Sequence, residues 1–331
     1  MLPGKQWRVV VTDYNYPDLA IETRELWQWG AQLVPAQCST PDQVLAVGED
    51  ADALISQAAP VPGEVIARLR RCRALGRFGI GVDNIDVRAA TQAGIPVINV
   101  PSYCEDEVSD HTIALLLTWA RKTALYTDHV RRRGWDWKTG RPIHRLQGRV
   151  LGVLGFGKIA RRVARKGRAF GLVVIGHDPY VPAGAFAEEG VEQVDFDALL
   201  TRSDFLSVHV PLTDATRHLI DREALAKMKP TSCIINTSRG PIVDEQALVA
   251  ALQAGELAGA CLDVTDPEPP RPDSQLLRLH QVILSPHVAW YSEESQADLR
   301  RKIARDIGRA LNGILPEGLV NRELADRFRR S

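Results

Sequence analysis

The chain has 331 residues, which is long enough for two domains of about 150 residues each. Apolar residues make up 45% of the chain and charged residues 25%, proportions typical of a folded globular protein and not of a disordered one. The 41 basic and 41 acidic side chains cancel, so we expect neither nucleic acid nor an anionic membrane as a partner.

Two further features bear on location and on metal binding. The most apolar stretch, residues 113–120, is less than half of the roughly 20 residues that a membrane-spanning helix needs, and the N-terminal segment lacks a signal-peptide core. The cysteines are odd in number and lack paired spacing, which predicts reduced thiols in a cytoplasmic protein, without disulfides and without a metal site. They are Cys38, Cys72, Cys104, Cys233 and Cys261.

Short β-rich runs alternate with helical patterns in the first hundred residues, which indicates parallel strands connected by helices. Strands are predicted at 8–13, 53–56, 74–78 and 95–99. Helices are predicted at 17–30 and 87–94, each ended by a glycine.

The second half repeats this alternation more regularly. Strands are predicted at 150–154, 173–177, 205–208, 233–236, 259–263 and 282–284. Helical patterns cover 105–126, 159–170 and 244–254. A last helix at 293–311 is expected to return to the first unit, which would make that domain discontinuous. The sequence therefore predicts an α/β protein built on parallel sheets.

A glycine-rich loop follows the strand at 150–154 and opens the next helix. Its pattern, Gly155-x-Gly157-x-x-Ala160, is the Ala-ended form of the dinucleotide-binding fingerprint. Gly155 permits the tight turn, Gly157 lets a pyrophosphate approach the backbone, and Ala160 lets the helix pack against the strand. The amides of Lys158 and Ile159 would then point at phosphate oxygens. An ordinary glycine turn of an α/β unit is the alternative interpretation.

An acidic residue follows the glycine loop at the spacing that is typical of dinucleotide-binding sites. Asp178 closes the next predicted strand, about 20 residues after the glycine loop. There a carboxylate accepts hydrogen bonds from the adenosine ribose and repels a 2′-phosphate, so we predict NAD and not NADP as the cofactor.

Arg239, Glu268 and His287 each follow a different predicted strand of the second half, and ligands of open α/β sheets bind beyond such strand ends. Arg239 can hold a substrate carboxylate or carbonyl oxygen. His287 can protonate the carbonyl oxygen as a hydride arrives, and Glu268 would stabilise the charged imidazolium. The set predicts reversible oxidation of an alcohol beside a carboxylate, with the hydride carried by a nicotinamide.

Each of these residues also has a structural explanation when taken alone. His287 follows a proline and suits a helix cap or a packing position, Arg239 suits the surface of a turn, and Glu268 suits a solvent-exposed loop. Their joint occurrence behind a nucleotide loop favours an active site.

At these positions the chain resembles the NAD-dependent D-isomer-specific 2-hydroxyacid dehydrogenases. The resemblance rests on Gly79-Ile-Gly-Val-Asp-Asn84, the glycine loop, Asn236–Gly240, Glu268 and Pro286–His287. It implies that Arg239, Glu268 and His287 are the catalytic residues, with His287 as the acid/base. It also implies two doubly wound parallel-sheet domains with the active site in the cleft between them. These are a Rossmann nucleotide domain at 102–289 and a discontinuous flavodoxin-like substrate domain at 1–101 and 290–331.

The resemblance further implies which residues contact each ligand, and that the protein is a homodimer joined through its nucleotide domains. The implied cofactor contacts in the glycine loop and at the end of the next strand are Gly155, Gly157, Lys158, Ile159 and Asp178. Val210 and Pro211 are implied at the adenine, Thr237, Ser238 and Arg239 at the nicotinamide ribose, and Asp263 at the nicotinamide amide. His287 is also an implied cofactor contact. The implied substrate contacts are the amides of Ile80, Gly81 and Val82, together with Arg239 and Trp290.

Within that family, the segment Pro286-His-Val-Ala-Trp290-Tyr-Ser-Glu-Glu is similar to the branch of the C-terminal binding proteins and their bacterial relatives. Trp290 stands where many relatives have glycine. We expect it to narrow the pocket or to stack on the substrate, which disfavours a phosphoglycerate-like substrate, and packing beneath the site is the alternative. The branch also raises a second functional hypothesis, an NAD(H)-sensing dimeric interaction protein with little turnover. The complete Arg–Glu–His set favours the enzyme.

Overall fold

The computed structural model describes residues 6–328, which form two compact units. Unit 1 comprises the chain up to Tyr103 and again from Ser292, and unit 2 comprises Cys104–Tyr291. The domain boundaries that the sequence predicts, at 101/102 and 289/290, lie two residues before these breaks.

Unit 1 is a five-stranded parallel sheet with the order β2-β1-β3-β4-β5, the order of flavodoxin-like folds. Its strands are β1 (Trp7–Val11), β2 (Ala31–Pro35), β3 (Ala53–Ser56), β4 (Ala74–Arg77) and β5 (Val97–Ile98). Its helices are α1 (Ala20–Trp27), α2 (Pro41–Gly48), α3 (Gly63–Ile66), α4 (Val87–Gln92) and, after unit 2, α12 (Glu293–Leu311).

Unit 2 is a seven-stranded parallel sheet with the order β12-β11-β10-β9-β6-β7-β8, which is the Rossmann order extended by one strand. Its strands are β6 (Val150–Leu154), β7 (Val173–His177), β8 (Glu192–Gln193), β9 (Phe205–Val208), β10 (Cys233–Asn236), β11 (Gly259–Leu262) and β12 (Val282–Leu284). Its helices are α5 (Glu105–Arg121), α6 (Thr123–Arg131), α7 (Lys158–Ala169), α8 (Ala183–Glu188), α9 (Phe196–Arg202), α10 (Arg222–Lys227) and α11 (Glu245–Ala254).

Both sheets confirm the predicted fold class of two doubly wound α/β units. In unit 2 each buried strand sends alternate side chains into two separate cores. In β10, Cys233 and Ile235 pack in one core, whereas Ile234 packs in the other. A strand covered by helices on both faces has to be apolar throughout, which is why these strands were visible in the sequence.

The predicted return of the last helix to unit 1 is confirmed. Helix α12 lies so close to β4 that a Cβ atom on Gly76 would be 3.0 Å from Ile307. Arg300 on α12 is almost fully buried and bonds the fully buried Glu22 of α1 through two nitrogens, at 2.7 and 2.8 Å. The carboxyl-terminal helix is therefore part of the core of the amino-terminal unit.

The predicted single helix at 105–126 is wrong. Lys122 adopts a left-handed conformation with φ of 57°, which ends α5 at Arg121 and lets α6 begin at Thr123. The Lys122 ammonium lies 4.0 Å from the centre of the Trp119 ring, an attractive contact that accompanies this turn.

Two elements of unit 1 are shorter than predicted by three residues or more. The helix predicted at 17–30 covers only Ala20–Trp27, because Asp18 accepts a hydrogen bond from the Ala20 amide and fixes a turn before it. The strand predicted at 95–99 covers only Val97–Ile98, because Pro96 has no N–H to donate to the ladder.

No helix within residues 6–328 is both long enough and apolar enough to cross a membrane.

Candidate active site

The sheet of unit 2 brings its predicted site residues to one edge. The last residues of its neighbouring central strands are in register, so the segments that follow them start at the same level. These last residues are His177, Leu154, Val208, Asn236, Leu262 and Leu284. The segments that follow carry Asp178, Gly155, Val210, Arg239, Glu268 and His287. The strand order reverses between β6 and β9, which is where nucleotides bind in such sheets.

The glycine loop has the backbone that the sequence pattern requires. Gly155 has φ of +86°, and a Cβ atom there would be 3.0 Å from the backbone of His209 and Val210. A Cβ atom on Gly157 would meet no heavy atom within 4 Å. Gly157 is also the N-cap of α7 and provides no side-chain acceptor for its first turn. The first amides of α7 therefore point into open space, and they include those of Lys158 and Ile159. Their partial positive charges make this end of the helix electropositive.

Asp178 supports this loop directly. Its Oδ2 accepts a hydrogen bond from the Phe156 amide at 2.9 Å, and its Oδ1 accepts one from the Tyr180 amide at 2.9 Å. Each carboxylate oxygen has two acceptor positions, so both can also accept from ribose hydroxyls. The carboxylate thus holds the glycine loop and keeps a negative charge beside it.

His287 and Glu268 are in direct contact. His287 Nδ1 lies 2.7 Å from Glu268 Oε2, and both side chains are a little over one-third exposed. Because Nδ1 bonds the carboxylate, Nε2 is the ring nitrogen that can exchange a proton with a substrate. His287 has φ of +51°, a strained conformation for a residue with a side chain.

The segment with Arg239 packs against the segment with Glu268. A Cβ atom on Gly240 would be only 2.0 Å from the Thr265 carbonyl oxygen, so a side chain there cannot be accommodated. Thr265 in turn donates its amide hydrogen to Glu268 Oε1 at 3.3 Å. The Arg239 guanidinium donates a hydrogen bond to the Ser238 carbonyl oxygen at 2.8 Å. Gly240 therefore lets the segments that carry Arg239 and Glu268 approach each other.

The Asp263 side chain is bonded to the segment that carries His287. Its side chain is almost fully buried, and its Oδ1 accepts from the Ser285 hydroxyl at 2.5 Å and from the Val288 amide at 3.0 Å. Its Oδ2 accepts from the Ala289 amide at 2.9 Å. Asp263 thus fixes the segment that carries His287, and its contact with a nicotinamide amide stays a prediction.

The segment after β9 is tied to the segment after β10. Ser238 donates its hydroxyl hydrogen to the Val210 carbonyl oxygen at 2.5 Å, and Thr216 donates to the Pro211 carbonyl oxygen at 2.6 Å. Thr237 and Thr112 are joined through their hydroxyl groups at 3.0 Å. These bonds order the residues predicted at the adenine and at the nicotinamide ribose.

His209, immediately before Val210, gives unit 2 a pH-dependent stability. Burial lowers the pKa of His209 to about 4 from 6.5. Because protons then bind the unfolded chain more tightly, the stability present above pH 6.5 is lost as the pH falls from 6.5 towards 4. We expect His209 to cost about 2 kcal/mol of unfolding free energy between pH 7 and pH 5. Urea unfolding of the H209Q variant should show a pH dependence smaller by that amount, and an unchanged dependence would contradict the assignment.

Unit 1 carries the predicted substrate amides. The backbone N–H groups of Ile80, Gly81 and Val82 have no hydrogen-bond acceptor within residues 6–328. The Ile80 carbonyl oxygen accepts from the Asn99 amide group at 2.6 Å, which fixes the loop. These three amides are available to a ligand, and their contact with a substrate carboxylate stays a prediction.

Trp290 is half-buried, and its ring packs edge to face on Tyr291, with 5.6 Å between the ring centres. Its contact with a substrate stays a prediction.

Sequence reasoning missed two residues that the structure brings to this site. His111 on α5 lies 2.9 Å from the Ser285 hydroxyl, which in turn bonds Asp263. Ser285 directly follows β12, and His111 lies 174 positions from it in the chain. The sequence around His111 contains no motif that indicates a role.

Comparison with known proteins decides the family. A family model described as the NAD-binding domain of D-isomer specific 2-hydroxyacid dehydrogenases matches residues 113–289, more than half of the chain. The chain belongs to this family. As a D-isomer specific 2-hydroxyacid dehydrogenase family member, it has its NAD-binding domain in unit 2.

Individual relatives agree with this assignment. The chain is 39% identical to a D-3-phosphoglycerate dehydrogenase of Methanocaldococcus jannaschii over 95% of its own length and 59% of the relative's. It is 37% identical to a glyoxylate reductase of Korarchaeum cryptofilum, over 91% and 90% of the two chains. A crystal structure of a glyoxylate reductase from Paecilomyes thermophila superposes with a TM-score of 0.87 at 30% identity, covering 97% and 100%. The chain thus spans only three-fifths or less of the phosphoglycerate dehydrogenases that it matches.

The residues of unit 2 fit NAD. The open space beside Gly157 leaves room for a pyrophosphate, and the uncapped start of α7 supplies its donors. Asp178 supplies a carboxylate that can accept hydrogen bonds from the ribose hydroxyls and would repel a 2′-phosphate.

Proposed function

We propose that the protein is an NAD-dependent dehydrogenase that interconverts a D-2-hydroxyacid and its 2-oxoacid. The observation that carries this proposal is the 2.7 Å contact between His287 and Glu268 at the carboxyl edge of an NAD-binding sheet. Bound NADH would supply the hydride. The balanced reaction is 2-oxoacid, NADH and one proton giving D-2-hydroxyacid and NAD⁺.

The roles of the three polar residues follow from their contacts. In reduction, the His287 imidazolium donates through Nδ1 to Glu268 and through Nε2 to the substrate carbonyl oxygen, which receives the Nε2 proton. Glu268 keeps the ring oriented and stabilises its charge. Arg239 holds the substrate carboxylate by charge-assisted hydrogen bonds, while Ser238 keeps the guanidinium in place. The amides of Ile80, Gly81 and Val82 are proposed as a second set of carboxylate donors.

The experiment that tests this function is a steady-state assay of the purified chain with NADH and a panel of 2-oxoacids. Glyoxylate and pyruvate represent small substrates, and 3-phosphoglycerate with NAD⁺ tests a phosphorylated one. We expect turnover with at least one small 2-oxoacid and, because Trp290 occupies the position often held by glycine, weak turnover with the phosphorylated acid. NADH binding without any turnover would contradict the enzyme and favour the NAD(H)-sensing interaction protein.

The predicted cofactor choice depends on one charge. Removing the negative charge in Asp178→Asn should lower the preference for NADH over NADPH, measured as a ratio of kcat/KM values, by at least about 10-fold, because like charges in contact cost several kcal/mol. Glu188→Gln, on the exposed surface of α8, is the matched control and should leave the ratio unchanged. An equal ratio in D178N and in the unmodified chain would contradict the role of Asp178.

We propose that the protein is a homodimer joined through unit 2. Helix α6 buries none of its side chains, and large apolar side chains are exposed on it and on the segment that follows it. These residues are Leu125, Val130, Trp135, which is 90% exposed, and Trp137. Large apolar side chains that are exposed together in one short stretch of chain are typical of an interface.

Light scattering after size-exclusion chromatography tests the dimer. We expect twice the mass of one chain, and the mass of one chain for the W135S/W137S double variant. Trp27→Ser, on the exposed surface of unit 1, is the control and should stay dimeric. A monomeric unmodified chain at micromolar concentration would contradict the proposal.

A cytoplasmic location is also proposed, because the five cysteines are free thiols.

A further inference from the structure

A hydrogen-bonded chain of three side chains connects α5 to the segment that carries His287. His111 Nε2 on α5 lies 2.9 Å from Ser285 Oγ, and Ser285 Oγ lies 2.5 Å from Asp263 Oδ1. His111 Nε2 is also 3.6 Å from Asp263 Oδ1. The imidazole is about one-quarter exposed, whereas the carboxylate is buried. All three residues belong to unit 2.

The direction of these hydrogen bonds is determined by the chemistry of the groups. An ionised carboxylate can only accept, so the single hydroxyl hydrogen of Ser285 is donated to Asp263. Ser285 Oγ must then accept its second hydrogen bond, and His111 Nε2 must carry the hydrogen that it donates. His111 is therefore protonated on Nε2 whether the ring is neutral or charged.

Asp263 is the last residue of this hydrogen-bonded chain, and it bonds the segment that carries His287. Its backbone carbonyl oxygen accepts from the His287 amide at 2.8 Å, and its carboxylate accepts from the Val288 and Ala289 amides. His287 itself has the strained φ of +51° and needs such external bonds to keep its conformation. The orientation of the Asp263 carboxylate thus controls the position of His287.

We propose that His111 is a positioning residue for His287, acting through Ser285 and Asp263. The inference rests on the proposed dehydrogenase function, which gives His287 its role. His111 donates a hydrogen bond to Ser285. The Asp263 carboxylate accepts hydrogen bonds from Ser285 and from the amides after His287. Through these bonds the rigid helix α5 holds His287, the proposed acid/base, in position. Within residues 6–328, His111 makes no hydrogen bond to His287 itself.

The test compares two substitutions of His111 in the full-length protein. His111→Leu removes the donor and should lower kcat about 10-fold, because one hydrogen bond to a buried carboxylate network is lost. The dissociation constant of NADH, measured by fluorescence, should stay within about twofold, since binding groups are unchanged. His111→Gln keeps an N–H donor at the end of its side chain and should restore most of kcat. Equal impairment of H111Q and H111L would overturn the proposal.

Ser109→Ala is the matched control for general weakening of α5. Ser109 lies on the same helix and accepts from the Lys166 ammonium at 2.6 Å, on the side that faces α7. We expect S109A to lower thermal stability and to leave kcat unchanged. A loss of kcat in S109A equal to that in H111L would overturn the proposal.

A second readout does not depend on turnover. In the imidazole NMR spectrum of the protein without cofactor, we expect a hydrogen-bonded Nε2–H signal from His111 that Ser285→Ala abolishes. H111L should also shift the His287 ring signals, and S109A should not. If the unmodified protein has no turnover but H111L shifts these signals, the proposed function fails and the positioning role stands. If neither kcat nor the His287 signals respond to H111L, the positioning role is overturned.

Discussion

Replacing His287 with Gln should lower kcat for 2-oxoacid reduction by about 10²–10⁴-fold, the usual contribution of a general acid. Glutamine can donate a hydrogen bond to a carbonyl oxygen, but it cannot transfer a proton at neutral pH. The Glu268 carboxylate would also lose the ring that it orients at 2.7 Å. The measurement is steady-state kinetics with a saturating 2-oxoacid, together with the dissociation constant of NADH.

His280→Gln provides the control for this substitution. His280 lies on the surface in the turn before β12, and H280Q should leave kcat unchanged. The dissociation constant of NADH in H287Q should change by less than about threefold, because the loss concerns the transition state and not the ground state. An H287Q variant with more than one-tenth of the normal kcat would contradict the acid/base role.

Replacing Arg300 with Met should destabilise unit 1 by about 3–5 kcal/mol, the cost of leaving a buried charge without its partner. Glu22 is fully buried, and both of its oxygens accept from Arg300. Arg300 also donates to the Asp18 carbonyl oxygen at 2.6 Å and lies over the Tyr16 ring. The substitution therefore breaks the connection between α1 and α12. Urea unfolding followed by circular dichroism measures the change.

Two further variants make this result specific. Arg301→Met removes an exposed ion pair with Asp298 from the same helix and should cost less than about 1 kcal/mol. The R300M/E22L double variant should recover most of the lost stability, because the unpaired carboxylate is then gone. Equal losses in R300M and R301M would contradict the account of how α12 is held in unit 1.

The inner strands of unit 2 could be predicted from the sequence because they are buried on both faces, and the edge strand β12 because all three of its residues are apolar. β6, β7, β9, β10 and β12 have the predicted bounds. Two strands were missed, β2 (Ala31–Pro35) and β8 (Glu192–Gln193), both at sheet edges. Gln32 is exposed in β2, and both residues of β8 are exposed. Edge strands carry few buried β-branched residues, so local periodicity does not reveal them.

The break between α5 and α6 could not be predicted from local propensity. Glycine or asparagine usually marks a left-handed helix end, and here that position is occupied by Lys122. The break depends on tertiary contacts such as that of Lys122 with Trp119.

The candidate site was predictable where a residue's role follows from the strand that precedes it. Gly155, Asp178, Arg239, Glu268 and His287 all stand at strand ends, and the sheet aligns those ends. His111 and the structural use of Asp263 were not predictable, because both depend on side-chain contacts between distant parts of the chain.

Transfer of deuterium from NADH labelled on the transferable C4 position tests the central claim most directly, that this site moves a hydride onto C2 of a 2-oxoacid. Chiral chromatography and mass spectrometry of the product would measure both the label and the configuration. The account predicts a D-2-hydroxyacid with one deuterium on C2. An L-configured product, or a product without the label, would contradict it.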